Sequence, residues 1–208
     1  MIEVDAVRVV SGDVTLLDTI TRRVDAGTAL AVRGGNGTGK TTLLRVLAGI
    51  QAPSAGSARI AGAAISQRDR TFRRRVAAMI GLPPFAPDLT VLEHVRLVAV
   101  TWFTSEEADA RARAALDELG LQTLHERFPH ELSSGQAQLF GLALVLVRPC
   151  EVLILDEPEQ RLDPEHVEAV IAALRARRDA GITLVVATHH PRLAELVADE
   201  TVHLERVA

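Results

Sequence analysis

One run of residues carries the most specific chemistry in this chain: Gly34-Gly35-Asn36-Gly37-Thr38-Gly39-Lys40-Thr41, followed by Thr42. Lys40 is the only lysine, and the other fixed cations are all arginine. A surface charge can be either residue. A cradle for β- and γ-phosphates takes a compact ammonium on a flexible stem, which a planar guanidinium matches poorly. The spacing G-x-x-x-x-G-K-[ST] is that of a phosphate-binding loop, in which glycines bring backbone N–H groups against an anion. Motif and composition together imply a bound nucleoside triphosphate.

Further along, Val152-Leu153-Ile154-Leu155 runs into Asp156-Glu157, an apolar stretch that ends in two carboxylates. One can hold a hard cation beside Thr41, and the other can polarise a water molecule. Thr188-His189 ends another apolar stretch, Leu132-Ser133-Ser134-Gly135-Gln136 precedes a third, and Leu162-Asp163 stands before Pro164. Each has a plainer reading. Asp156-Glu157 can be a solvated strand end, Ser133 or Ser134 a helix cap, and Asp163 an N-cap before a proline. His190, next to His189, reads as a surface residue. Arg73-Arg74-Arg75 reads as a solvated edge, because no aromatic platform for nucleic acid accompanies it.

The elements that must position these groups can be read from local pattern. Val4, Val7, Val9 and Val10, then Leu16, Leu17 and Ile20, predict strands broken at Ser11-Gly12-Asp13. Thr28 to Val32 predicts a strand entering the glycine loop, and Thr42 to Ala48 a helix stopped by Gly49. Strand, glycine loop and helix is the context a phosphate site needs. A turn at Pro53 to Gly56 leads to a strand at Ser57 to Ile60. Thr104-Ser105-Glu106-Glu107 predicts a capped helix start, continued by Ala108 to Leu119 and ended by Gly120. A helix over Glu165 to Arg178 and a buried strand over Ile182 to Ala187 follow. Alternating strands and helices around a helical block indicate a parallel α/β core with an inserted helical arm.

At 208 residues the chain can bury one substantial core. Its longest clean apolar run, Leu142 to Val147, falls far short of the ~20 residues needed to span a bilayer. The start, Met1-Ile2-Glu3-Val4-Asp5, is acidic where a secretion signal is positive, so a soluble cytoplasmic chain is expected. A net charge of −4 gives no footprint for nucleic acid. Cys150 stands alone before an apolar strand and is expected to be a small buried side chain.

The order of these motifs resembles the nucleotide-binding domain of ABC transporters, whose signature L-S-G-G-Q is similar to Leu132 to Gln136 here. The resemblance runs from about Val4 to the C-terminus. It implies an ABC-type P-loop NTPase fold with an N-terminal antiparallel β subdomain and an inserted helical subdomain. Residues 1–87 and 148–208 would form the β subdomain and α/β core, and 88–147 the helical subdomain carrying the signature. It implies an ATPase using ATP and Mg²⁺. Gly34 to Thr42 would cradle the phosphates, Thr41 and Asp156 would hold the metal, and Glu157, His189 and Lys40 would act in hydrolysis. Ser133 and Gly135 would close over the ATP of a second subunit paired head to tail, with Asp163 at the seam. The implied partner is an integral-membrane transporter subunit, which would keep the chain at the cytoplasmic face of the membrane. With the last core strand close to Ala208, no C-terminal regulatory domain is expected, as in short exporter-type or haem-exporter-type ATPases.

The chain also departs from the family. Counting back from Asp88-Leu89-Thr90-Val91, the glutamine that helps ligate Mg²⁺ and links to the membrane subunit falls on Gly81. The aromatic that stacks on adenine has no equivalent, since Val9, Val10 and Ser11 occupy its region and the chain has no tyrosine. The run Leu139 to Val147 is unusually apolar, which suggests a partner surface or a deeper core. Other readings are an ABC ATPase without a transport role, or a degenerate regulatory subunit that hydrolyses ATP slowly.

Overall fold

The computed structural model describes residues 1–205. The period-two pattern at the N-terminus folds as β1 (Ile2–Ser11) and β2 (Val14–Val24), with Ile2, Val4, Val7 and Val9 buried. β3 (Ala29–Arg33) follows, then α1 (Lys40–Leu47), β4 (Ala55–Ile60) and the short β5 (Ala63–Ala64). α2 (Arg70–Arg75) leads directly into β6 (Val76–Met79). Helices α3 (Val91–Ala99), α4 (Ser105–Glu118) and α5 (Ser134–Leu146) form the helical block. The chain finishes with β7 (Val152–Asp156), α6 (Pro164–Asp179), β8 (Thr183–Ala187), α7 (Pro191–Val197) and β9 (Glu200–His203).

Two sheets result. β2-β1-β4-β5 is antiparallel, and β6-β7-β8-β3-β9 is parallel throughout. The central strands of the parallel sheet are continuous apolar runs, as strands covered on both faces must be. α1 packs against β2, β4, β7 and β8, and its Leu43, Leu44, Val46 and Leu47 join a core with Val32, Val152, Ile154 and Val185.

The chain divides into two compact units. The sheet-bearing unit comprises Met1–Ile80, Cys150–Glu157 and the chain from Arg175 onward, and the helical unit comprises Gly81–Pro149 and Pro158–Leu174. Within the helical unit α3, α4 and α5 pack on one another. α5 has no charged residue and buries Leu139, Phe140, Gly141, Leu142 and Ala143, which lie all round the helix. A helix apolar on every side is a core element. Its composition is thereby explained by the deeper core of the helical unit.

Candidate nucleotide site

β3 delivers the chain into the glycine loop at the edge where the parallel strands end. Gly34 (φ +151) has no room for a side chain: a Cβ there would lie 2.5 Å from the Leu204 carbonyl oxygen and 2.6 Å from Thr38 Oγ1. Gly39 (φ +95) is confined in the same way, with the Leu16 carbonyl oxygen 2.7 Å from a Cβ. Thr38 Oγ1 donates to the Gly35 carbonyl at 3.0 Å and fixes the turn between them.

The helix that follows starts in an unusual manner. Gly39 is the N-cap of α1, it supplies no side-chain hydrogen bond, and no acidic residue stands in the first turn. The other helices close their own starts. Asp69 caps α2, Thr90 α3, Thr104 α4, Ser133 α5, Asp163 α6 and His190 α7. The first N–H groups of α1 therefore remain for an external acceptor, with the positive end of the helix dipole behind them.

Lys40 is 6% exposed, and its ammonium donates to the carbonyls of Gly34 (3.0 Å) and Gly35 (3.1 Å). Its Nζ also lies 2.9 Å from His189 Nε2, which is 3.2 Å from Glu157 Oε1. One ring nitrogen cannot accept from Lys40 and donate to Glu157 at once, so the imidazole proton decides which bond is made. Thr41 Oγ1 donates to Asp156 Oδ2 at 2.7 Å. Glu157 continues β7 by donating its N–H to the Ala187 carbonyl at 2.9 Å, and it does so with φ +48. A left-handed backbone at a non-glycine residue costs roughly 1–3 kcal/mol and concentrates at functional sites. β7, β8 and β3 are adjacent, so Asp156, Glu157, His189 and the loop gather at their carboxyl ends.

Gly39, Lys40, Thr41 and Glu157 border a cavity of about 440 Å³, also lined by Asn36, Gly37, Thr42 and the strand edge Val14-Thr15-Leu16. Asp156 and His189 stand behind this lining, joined to it through Thr41, Lys40 and Glu157. The Thr41–Asp156 pair suits a magnesium ion. Among the described residues no cluster of three or more His, Cys, Asp or Glu forms a self-sufficient metal cage. A hard cation held by one carboxylate, one hydroxyl and substrate phosphates needs none.

The remaining predicted residues lie in the helical unit. Ser133 Oγ accepts from the Gln136 N–H at 3.2 Å, while Gln136 Oε1 accepts from the Ser133 N–H at 2.9 Å. Gly135 is closely covered, since a Cβ there would lie 2.8 Å from the Arg161 carbonyl oxygen. Asp163 accepts from the His166 N–H at 3.0 Å and pairs with His166 Nδ1 at 2.6 Å. The backbone bond from His166, then its ring, hold the Asp163 carboxyl below its ordinary value.

Several expectations are corrected. Val9 is 1% exposed and packs in the core, so it cannot meet a ligand; Val14, 61% exposed, stands at the cavity instead. His190 caps α7 by accepting from the Leu193 N–H at 3.3 Å and is no bystander. Cys150 is half-buried, since it stands two residues before β7 begins. Arg75 of the basic run pairs with Glu151 at 3.2 Å. Sequence reasoning missed Thr15 and Leu16, whose spacing carries no motif.

Comparison with known proteins places the arrangement in a family. Residues 17–160 match the family model described as ABC transporter. The chain is 35% identical over 191 residues to the lipoprotein-releasing system ATP-binding protein LolD of Chromohalobacter salexigens, covering 88% of this chain and 80% of that protein. It is 33% identical over 203 residues to the L-cystine import ATP-binding protein TcyC of Bacillus subtilis, covering 93% and 82%. In fold it resembles the dimeric post-hydrolysis structure of the ATP-binding cassette MJ0796 bound to ADP and Pi. That likeness has a TM-score of 0.89 over 100% of this chain and 97% of that one, at 23% identity. A family match across well over half the chain, on a fold that ends three strands at one uncapped phosphate loop, has a plain consequence: the chain belongs to the ABC transporter family, as an ATP-binding, ATP-hydrolysing subunit.

Proposed function

We propose that the chain binds MgATP at the start of α1, hydrolyses it within a head-to-tail dimer, and transmits the closing and opening of that dimer to a separate membrane-spanning subunit. The observation that carries this reading is the start of α1, left without a side-chain cap beside a buried ammonium. Lys40 can exchange the Gly34 and Gly35 carbonyls for phosphate oxygens, because an ammonium has three donors that rotate freely. Thr38, Gly39 and Thr42 complete the cradle with Gly34 to Gly37. Thr41 and Asp156 would hold Mg²⁺, which when bound neutralises charge on the β- and γ-phosphates.

Glu157 is the group assigned to polarise the attacking water, and its backbone strain is the price of aiming that carboxylate. His189 would orient the same water, with its proton position set by Lys40 and Glu157. Ser133 serves α5 as a cap with one lone pair of its hydroxyl and keeps its proton for another acceptor. That proton, with the Gly135 backbone, is assigned to the ATP of the second subunit. Asp163 caps α6 and is assigned to the seam as well. Among the described residues no helix is long and apolar enough to cross a membrane, which fits attachment at the cytoplasmic face through the partner.

A slow, regulatory ATPase is the second reading, and Gly81 favours it. The residue offers no side-chain oxygen and holds φ +74, a backbone that a glutamine adopts only with strain. One variant tests the main reading. Glu157→Gln is expected to lower turnover by ~10²–10⁴ while ATP stays bound and the dimer persists in gel filtration. Unchanged turnover would remove Glu157 from the reaction.

A further inference from the structure

His94 lies outside the nucleotide site and is buried in the helical unit at 8% exposure. Its Nδ1 is 2.7 Å from the Thr90 carbonyl oxygen, which can only accept, so Nδ1 carries the proton. Its Nε2 accepts from the Ala86 N–H at 2.9 Å and therefore carries none. The two bonds together specify one neutral tautomer. The ring is wedged edge-on against Phe140 (5.3 Å between centroids) and Phe85 (6.2 Å), which also contact each other at 4.6 Å.

Ala86 belongs to the connection 81–89, which leaves the parallel sheet just after β6. β6 lies directly beside β7, the strand that ends in Asp156. Pro83, Pro84 and Pro87 have no N–H to give. A turn at Pro87-Asp88 closes within the connection, and among the described residues the bond from Ala86 to His94 is the one hydrogen bond that holds residues 81–89 to the rest of the chain. None of the nine is buried. One imidazole lone pair is thus the polar tether of the whole connection.

Protonation of Nε2 would turn that acceptor into a donor facing a second donor. The surrounding charges are few. On α3 they are Glu93, whose carboxylate feels the ring, and Arg96, which pairs with Asp109 of α4; Asp109 also binds Arg113. His125 and Arg127, whose carbonyls accept from Leu92 and Val91, pair with Asp117 and Glu131. α5 brings no charge, and the 81–89 connection brings one, the exposed Asp88. Among the described residues, no carboxylate is hydrogen-bonded or ion-paired to His94 Nε2.

We propose that His94 is a positioning residue for ATP turnover: its neutral ring holds the 81–89 connection in place, and its protonation releases that connection. The proposal concerns the rate step and leaves nucleotide binding to the glycine loop. It is tested on the purified full chain between about pH 8 and about pH 5.5, where histidine changes charge. The measurement is hydrogen exchange at the Ala86 amide, corrected for intrinsic rate. Wild type is expected to lose about tenfold in protection as the pH falls. His94→Gln, whose amide oxygen accepts without titrating, should keep its protection throughout. His94→Phe retains ring packing and should be unprotected at every pH. In parallel, kcat for ATP should fall with pH in wild type at constant KM, and stay level in His94→Gln. Wild-type protection that ignores pH, or His94→Phe protected like wild type, would overturn the tether. An acid loss of kcat shared equally by His94→Gln would place its cause outside His94 and overturn the role in turnover.

Discussion

At the start of α1, Gly39 offers nothing to the first-turn N–H groups; at the start of α5, Ser133 and Gln136 satisfy each other's backbone. Both are helix N-termini at which phosphate is proposed to bind. The first is incomplete without an anion, so the sheet-bearing unit should gain stability from its ligand by linkage, about 2.7 kcal/mol at a hundredfold excess over Kd. The second is closed by its capping box in the isolated chain, which leaves the Ser133 hydroxyl proton and the Gly135 backbone for the assigned role in the neighbour. On this proposal one terminus is a binding site that happens to begin a helix. The other is a finished helix that can lend a hydrogen bond to a neighbour.

The largest effect that could break this contrast is at Lys40. Lys40→Ala should weaken nucleotide binding roughly 10- to 100-fold, the worth of charge-assisted bonds to phosphate, as read by titration with a fluorescent ATP analogue. Binding retained at wild-type strength would mean that α1 is not the anion site.

A smaller and sharper effect is expected at Ser133, where cap and donor can be separated. Ser133→Ala removes both, lowering stability by about 1 kcal/mol and depressing ATPase activity. Ser133→Asp keeps a good cap but brings a negative charge and no proton, so Tm should hold while activity falls further. If Ser133→Asp remains active, the hydroxyl has no role beyond α5 itself.

The smallest effect is in acid. Glu93, Glu107, Glu131 and Asp163, all in the helical unit, are held below their ordinary values, each chiefly by a backbone hydrogen bond: from Thr90, Thr104, Phe128 and His166 respectively. A carboxyl with a lowered folded value adds stability above its unfolded value, and that contribution disappears as the pH falls through the folded value. The helical unit should therefore lose stability below about pH 4.5, the ordinary glutamate value, in denaturant titrations. Glu93→Gln with Glu107→Gln keeps the caps and should flatten that slope.

The same contrast explains what could be read in advance. The glycine loop was legible because an open helix start demands a rare composition, and the α4 cap because Thr104 and Glu107 stand at the required spacing. The strands Val152–Asp156 and Thr183–Ala187 announced themselves as unbroken apolar runs. β6 did not, since its four residues follow Arg73-Arg74-Arg75, and the polar run masks a buried edge. β9 and α7 are too short to establish a period. The cavity wall at Val14 to Leu16 was invisible for another reason. Which valine faces a ligand depends on the irregular register between β1 and β2, and a list of valines does not contain that register.

The contact between Gly135 and the Arg161 carbonyl bears on how this sequence can change over time. Arg161 itself sits at φ +67, and any side chain at position 135 would drive into its carbonyl oxygen. Position 135 is therefore held to glycine for as long as that backbone carbonyl stays where it is, whatever side chain residue 161 carries. A substitution at 135 becomes tolerable only after the 158–163 segment has been rebuilt, and rebuilding that segment displaces the residues next to Glu157. Lineages carrying this chain should keep glycine at 135 unless the path of the 158–163 segment changes as well.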